Sequence, residues 1–155
     1  MKINEILESV KSGKISTSSA KKLLTLYSIE EVENFAKIDI NRSKRRGVPE
    51  VIFAETKELE DTKKIIKRTL DKTNLVIVSR IKKDDYKKII MFAKKLKVKV
   101  ETGKNSSTVL LFKKPIKFHG GKVGIMTAGT SDIGVAEEAR LMCQAMNCQC
   151  ITSYD

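Results

Sequence analysis

The sequence predicts an α/β fold, and two observations lead to this expectation. Apolar runs of strand length alternate along the 155-residue chain with stretches in which apolar residues recur every three or four positions. Near the C-terminus, a short apolar run opens into the hydroxyl- and glycine-rich residues 127–132, and a helical pattern follows directly. We therefore expect three N-terminal helices, a small α/β domain, and then the first βαβ unit of a parallel sheet.

Three helices are predicted in the first third of the chain. Residues 3–10 carry apolar side chains on one helical face, and Gly13 is a typical helix terminator. A second short helix covers the apolar positions of residues 20–27. Ser28 is followed three residues later by Glu31, a capping-box pattern that predicts a third helix, whose apolar stripe continues to Ala36.

A small α/β domain is predicted after Pro49, which ends the third helix because proline lacks the N–H group that a helix needs. In chain order we predict strand 50–54, a helix with Leu59, Ile66 and Leu70 inward, strand 75–79, helix 83–96, and strands 98–101 and 108–112. The Gly-Lys-Asn-Ser turn at residues 103–106 predicts a hairpin between the last two strands.

The last unit is separated from this domain by a predicted linker at residues 113–121, which contain a proline and paired glycines and lack apolar periodicity. The chain is accordingly divided into a helical segment (1–46), the α/β domain (47–112), the linker and a final unit (122–155). That unit is predicted as strand 122–126, helix 133–146 and strand 148–152. Because two parallel strands and one helix cannot cover both faces of a sheet, we expect it to be the truncated start of a larger domain.

Composition narrows the function classes. No apolar run approaches the roughly 20 residues that span a bilayer, and no signal peptide is visible, so we expect a cytoplasmic protein without a membrane partner. Three cysteines, Cys143, Cys148 and Cys150, are an odd number without an earlier partner, which argues against a disulfide framework. We predict no metal site.

The formal net charge of +12 leaves a polyanion-binding module as an alternative function. The one dense basic cluster is at residues 42–46, where guanidinium groups would bind phosphate. Aromatic residues are only 5% of the chain, and no tyrosine or phenylalanine interleaves with this cluster to stack on a base. Nucleic acid is therefore not the partner that we favour.

The candidate functional residues lie at 127–132. A loop of this kind directs backbone N–H groups and short hydroxyls at the positive end of a helix dipole, where a phosphate or carboxylate binds. It matches neither the G-x-G-x-x-G fingerprint nor the G-x-x-x-x-G-K-[ST] phosphate loop. The alternative is structural, in which Ser131 or Asp132 caps the helix and Gly129 eases the turn.

Residues 124–132 and 135–139 closely resemble the motif of the LarB family, the pyridinium-3,5-biscarboxylic acid mononucleotide synthases of nickel-pincer cofactor assembly. Tyr154 and Asp155 resemble the next landmark of that family. A further pattern of the family, D-x-x-R-x-x-R-x-G-x-P-E, is matched by Asp39, Arg42, Arg45, Gly47, Pro49 and Glu50.

The resemblance implies an activity and a fold. LarB enzymes add a second carboxylate, from CO2 or bicarbonate, to the pyridinium ring of nicotinic acid adenine dinucleotide and cleave its phosphoanhydride to release AMP. Their C-terminal domain is similar to the flavodoxin-like carboxyaminoimidazole ribonucleotide mutases of purine synthesis, so an aminoimidazole ribonucleotide is the alternative substrate. Asp39, Arg42 and Arg45 favour the pyridine substrate because they belong to the pattern that accompanies the extra N-terminal domain.

The resemblance also assigns residues. The nucleotide contacts would come from Thr127, Gly129, Thr130, Ser131 and Asp132. Of these, Asp132 would reach a ribose hydroxyl or polarise the reacting region. Arg42 and Arg45 would supply cations to the dinucleotide phosphates, and Asp39 would orient Arg42.

The family's cysteine nucleophile and its acidic partner lie in motifs downstream of the Tyr-Asp landmark, so we expect this chain to be an incomplete, inactive part of the enzyme. No cofactor is expected to bind tightly, CO2 or bicarbonate is the co-substrate, and Mg²⁺ is left open. The full-length family implies a homo-oligomer. This chain departs from its relatives at residues 54–58, which weakens the case for a substrate contact by Lys57, and at Gly134, where relatives usually have proline.

Overall fold

The structure is a computed structural model that describes residues 3–26, 29–32, 36–39 and 48–155. Over these residues the chain forms five α-helices, eight β-strands and one turn of 3-10 helix. In chain order these are α1 Ile3–Lys11, α2 Thr17–Leu26, β1 Ile29–Val32, β2 Ala36–Asp39, β3 Val51–Phe53, α3 Leu59–Lys72, β4 Leu75–Ser79, α4 Lys83–Lys95, β5 Lys99–Thr102, β6 Val109–Phe112, β7 Lys122–Thr127, the 3-10 turn Thr130–Asp132, α5 Ile133–Ala145 and β8 Gln149–Tyr154. The predicted α/β fold class is confirmed.

The N-terminal third contains two of the three predicted helices among its described residues. Helix α1 ends before Gly13, which has a φ of 72° and donates its amide to the carbonyl oxygen of Val10 at 3.0 Å. The prediction of a third helix is wrong for the residues that the structure describes there. These residues form β1 and β2, an antiparallel pair with Ile29 opposite Asp39. The capping pattern is a local signal, and the β-branched residues of β1 suit a strand better than a helix.

A four-stranded sheet follows with the strand order β3-β4-β6-β5. Strands β3 and β4 are parallel and joined by the crossover helix α3, whereas β6 pairs antiparallel with both β4 and β5. The predicted strands and helices of residues 50–112 are all present within one or two residues, and the hairpin at residues 103–106 is confirmed.

The core lies on both faces of this sheet. Val76 and Val78 of β4 face the side covered by α3 and α4, where Ile66 and Ile89 are buried. Ile77 faces the opposite side and packs with Leu141 of α5. Because each face is covered, β4 and β6 are continuous apolar runs without polar alternation.

The C-terminal residues form the parallel pair β7 and β8, connected by α5, as predicted for a βαβ unit. Helix α5 packs against β7 and β8 and also against β4 and β6, so it lies between the two sheets. The division of the chain into domains stays a prediction. No helix within the described residues is long and apolar enough to cross a bilayer.

Candidate functional site

The predicted loop lies between β7 and α5, at the carboxyl end of a parallel strand. Gly129 has a φ of 88° and a ψ of 145°, a backbone conformation that is essentially restricted to glycine. The 3-10 turn Thr130–Asp132 then leads into α5, and the residues from Ala128 to Asp132 are exposed. The loop is therefore accessible to a ligand, and its glycine is required by the backbone.

The helix that begins here is not capped by its own side chains. Asp132 occupies the N-cap position of α5 and makes no side-chain capping bond within the described structure. Its amide donates to the carbonyl oxygen of Gly129 at a long 3.4 Å. The residue before the 3-10 turn is Gly129, which has no side chain with which to cap it. The capping interpretation of Asp132 is thus wrong, and exposed residues with hydroxyl and carboxylate groups lie beside the positive end of the helix.

The end of β8 forms the second wall of the site. Thr127 is opposite Tyr154 in the parallel register, and the amide of Asp155 donates to the carbonyl oxygen of Thr127 at 3.2 Å. The Oγ1 atom of Thr127 is buried and has no hydrogen-bond partner among the described residues. The carboxyl ends of two parallel strands and the helix between them meet here, which is where open α/β sheets bind ligands.

A buried carboxylate joins this wall to the rest of the protein. Glu137 on α5 is 7% exposed and accepts a hydrogen bond from the hydroxyl of Tyr154 at 2.8 Å, from Nε of Arg140 at 3.0 Å and from the amide of Lys104 at 3.3 Å. Burial acts to raise its pKa, but the hydrogen bonds from Arg140 and Tyr154 outweigh this, and the pKa of Glu137 lies below its ordinary value. Glu137 is therefore ionised at neutral pH.

Arg140 extends the same network to the β5–β6 hairpin. Its terminal nitrogens donate to Oε1 of Glu101 at 3.4 Å, to the carbonyl oxygen of Thr102 at 3.1 Å and to Oε1 of Gln144 at 3.2 Å. Its NH2 atom also lies 2.9 Å from Oε2 of Glu137, which completes the ion pair. Arg140 thus holds α5 against β5.

The tip of the β5–β6 hairpin rests on the first turn of α5. A Cβ atom added at Gly134 would meet the carbonyl oxygen of Asn105, and one added at Gly103 would lie 2.7 Å from Cβ of Glu137. Both glycines therefore allow the hairpin and the helix to approach closely. This contact explains why a glycine, rather than a residue with a side chain, stands at position 134.

Comparison with known proteins identifies the family of the chain. The model of the LarB/PurE-like N-terminal domain matches residues 29–109, just over half of the chain. The chain belongs to this LarB/PurE-like family. It is also 34% identical over 157 residues to an uncharacterised protein of Methanocaldococcus jannaschii. That alignment covers 99% of this chain and 60% of the relative, so the chain spans about 60% of the relative's length.

The LarB resemblance drawn from the sequence is confirmed at the level of the family. The structure brings Thr127, Gly129 and the turn Thr130–Asp132 together at one strand-to-helix junction. Asp39 is the last residue of β2. Arg42 and Arg45 lie outside the described residues, as does the rest of the basic cluster at 42–46, so their assigned contacts stay predictions.

The cysteines of this LarB-family chain lie far from the loop. Cys143 is ten residues after Ile133, about 15 Å along the helix axis. Cys148 and Cys150 are half-buried and line a cleft of about 230 Å³ together with Phe118 and Gln144. No group of three or more histidine, cysteine, aspartate or glutamate side chains in the described ranges is arranged to hold a metal.

Three residues of the site were not identified from the sequence: Glu137, Arg140 and Lys104. The three-residue spacing of Glu137 and Arg140 predicts an ion pair on a helix. It does not predict that the pair is buried, or that the amide of Lys104, 33 positions earlier, completes it. Only the fold brings these groups together.

Proposed function

We propose that this chain is the nucleotide-recognition part of a LarB-like enzyme. The reaction that we assign to that enzyme carboxylates nicotinic acid adenine dinucleotide and hydrolyses its phosphoanhydride, giving pyridinium-3,5-biscarboxylic acid mononucleotide and AMP. Membership of the LarB/PurE-like family supports the reaction class. The observation that carries the proposal is the loop after β7, whose residues 128–132 are exposed and which provides no side-chain cap for α5.

The junction has the parts that a nucleotide phosphate needs. The positive end of the α5 dipole lies at this loop, and the exposed residues Thr130 and Ser131 place two hydroxyl groups beside it. The exposed carboxylate of Asp132 is an acceptor for a ribose hydroxyl. In this proposal the phosphate binds at the amides, and Asp132 orients the sugar.

The covalent step is assigned to no cysteine of this chain. Cys143 lies toward the C-terminal end of α5, Cys148 in the turn that follows, and Cys150 on β8. The contribution of this chain in the proposal is to bind and position the nucleotide. CO2 or bicarbonate is the proposed co-substrate.

Isothermal titration calorimetry tests the proposal. The purified chain is titrated with nicotinic acid adenine dinucleotide, and the same titration is run with Asp132→Asn and with Asp71→Asn, a matched change at an exposed position of α3. We expect saturable binding that is weakened at least tenfold, about 1.4 kcal/mol, by Asp132→Asn and unchanged by Asp71→Asn. Absence of binding by the unaltered chain, or equal binding by Asp132→Asn, would refute the proposal.

An aminoimidazole ribonucleotide is the second candidate, because the matching family model is shared by LarB and PurE-like proteins. The same calorimetry with 5-aminoimidazole ribonucleotide separates the two candidates. We expect the pyridine dinucleotide to bind more tightly. The opposite order would favour the purine-type substrate.

A further inference from the structure

The thiol of Cys150 lies against helix α5. Cys150 and Tyr154 are four residues apart on β8, so their side chains are on the same face of the strand. That face is turned toward α5, because the hydroxyl of Tyr154 donates to Glu137. The thiol of Cys150 accordingly reaches the helix and donates to the carbonyl oxygen of Arg140 at 3.8 Å.

The neighbour of this thiol on α5 is Cys143. Cys143 is three residues after Arg140, and because helical side chains lean toward the N-terminus, its thiol lies over the turn that Cys150 contacts. The two thiols are in hydrogen-bonding contact with each other. Thiols in contact need only a small movement to reach the S–S bond length of about 2.05 Å.

The chain between the two thiols is held by the turn that ends α5. Asn147 has a φ of 63°, and its amide donates to the carbonyl oxygen of Gln144 at 3.0 Å. The amide of Cys148 donates to the carbonyl oxygen of Cys143 at 2.9 Å. These two bonds form a Schellman motif, which returns the chain from α5 directly into β8. The folded chain therefore keeps the last turn of α5 beside the start of β8.

A cleft gives small molecules access to the pair. Cys150 is half-buried and lines the cleft of about 230 Å³, with Cys148 in the same lining. Burial raises the pKa of the Cys150 thiol, the Cys143 and Cys148 thiols raise it further, and Arg140 acts in the opposite direction. The thiol is therefore protonated at neutral pH, and its reactive thiolate becomes more abundant as the pH rises.

We propose that Cys143 and Cys150 form a reversible oxidation site whose oxidant is a hydroperoxide. The thiolate of one cysteine attacks a peroxide oxygen, the O–O bond breaks, a sulfenic acid forms, and the departing hydroxide takes up a proton to give water. The second thiol then attacks the sulfenic sulfur, so that an S–S bond forms and a second water leaves. With hydrogen peroxide, two thiols and one peroxide give one disulfide and two waters.

The oxidised pair would cross-link the last turn of α5 to β8 through a closed loop of eight residues, 143–150. The fold already forms with both thiols reduced, so this bond is a modification of the folded chain and not part of its framework. The inference does not depend on the proposed function, because it requires no ligand at the loop of residues 127–132.

Differential alkylation followed by mass spectrometry tests the site. The folded chain is treated with hydrogen peroxide, its free thiols are blocked with iodoacetamide, and disulfides are then reduced and labelled with N-ethylmaleimide. All three cysteines lie on the tryptic peptide of residues 141–155, so tandem mass spectrometry locates each label. We expect N-ethylmaleimide on Cys143 and Cys150 and iodoacetamide on Cys148. Dithiothreitol added before blocking should return all three to the iodoacetamide-labelled form.

Single serine variants assign the partners. Cys148→Ser should form the disulfide as the unaltered chain does, whereas Cys143→Ser and Cys150→Ser should form none within the chain. Oxidation of Cys148→Ser should raise its melting temperature by about 5–10 °C, because the cross-link restricts the unfolded chain.

Three results would overturn the inference. They are the absence of an intramolecular disulfide in the peroxide-treated unaltered chain, a disulfide in which Cys148 replaces either partner, and a melting temperature of Cys148→Ser that falls on oxidation. The labelling of the unaltered chain decides the first two even where a serine variant does not fold.

Discussion

Replacing Glu137 by glutamine tests the network that holds the end of β8 against α5. Glutamine keeps the size of the side chain but removes the charge that Arg140 and Tyr154 bind. Breaking a buried ion pair by changing one partner costs about 3–5 kcal/mol. Arg140 is 20% exposed and keeps its contact with Glu101, so we expect a loss of about 2–3 kcal/mol. For a chain of this size that corresponds to a melting temperature lower by about 4–12 °C.

The same substitution has a predicted pH dependence. The pKa of Glu137 is lowered by folding, so its stabilisation is complete above the pKa of an unfolded glutamate, about 4.3, and is lost as the pH falls toward the folded-state value. The difference in unfolding free energy between the unaltered chain and Glu137→Gln should therefore be largest near pH 7. It should narrow below about pH 4.

Urea denaturation followed by circular dichroism at pH 7 and pH 3.5 measures both effects. The control is Glu60→Gln, because Glu60 is 74% exposed and its ion pair with Lys63 lies on the surface, where such pairs contribute less than about 1 kcal/mol. A Glu137→Gln variant that unfolds within about 0.5 kcal/mol of the unaltered chain at pH 7 would refute this account of the network. If the difference in unfolding free energy between the unaltered chain and Glu137→Gln is the same at pH 3.5 as at pH 7, Glu137 is not ionised as we assign it.

Three further substitutions test the packing around the site, each measured by thermal melting. Gly134→Ala should cost about 1–3 kcal/mol because the new Cβ meets a main-chain oxygen of the β5–β6 turn, whereas Gly121→Ala, which meets nothing within 4 Å, should not destabilise. Ser79→Ala should cost about 1–3 kcal/mol because it removes the bond to the carboxylate of Glu138. Leu110→Ala should cost about 2–5 kcal/mol because Leu110 is fully buried under α5. A loss below about 0.5 kcal/mol in any of the three would contradict the packing described.

The α/β fold was predictable where the signal is local and strong. Strands β4 and β6 are uninterrupted apolar runs because both of their faces are covered, and the loop at residues 127–132 marks the start of α5. The prediction of a third helix was wrong at β1 and β2, because a serine and a glutamate at capping spacing carry information on only one turn of the chain. Whether β1 finds a partner strand depends on residues outside that pattern.

The candidate site was predictable only in part, because sequence patterns report on neighbouring residues and not on contacts between distant elements. Gly129, Ser131 and Asp132 are adjacent in the sequence, so their convergence follows from a single strand-to-helix bend. The position of Glu137 depends on contacts with distant elements. Its carboxylate accepts hydrogen bonds from an amide of the β5–β6 hairpin and from a hydroxyl of β8.

The central claim is that the amides at the β7–α5 junction bind a nucleotide phosphate. Two-dimensional NMR of the ¹⁵N-labelled chain during titration with nicotinic acid mononucleotide tests this claim residue by residue. We expect the amide signals of Gly129, Thr130 and Ser131 to shift most, along one saturable curve. Signals of these three residues that stay in place at saturating ligand, or a binding curve confined to other parts of the chain, would contradict the claim.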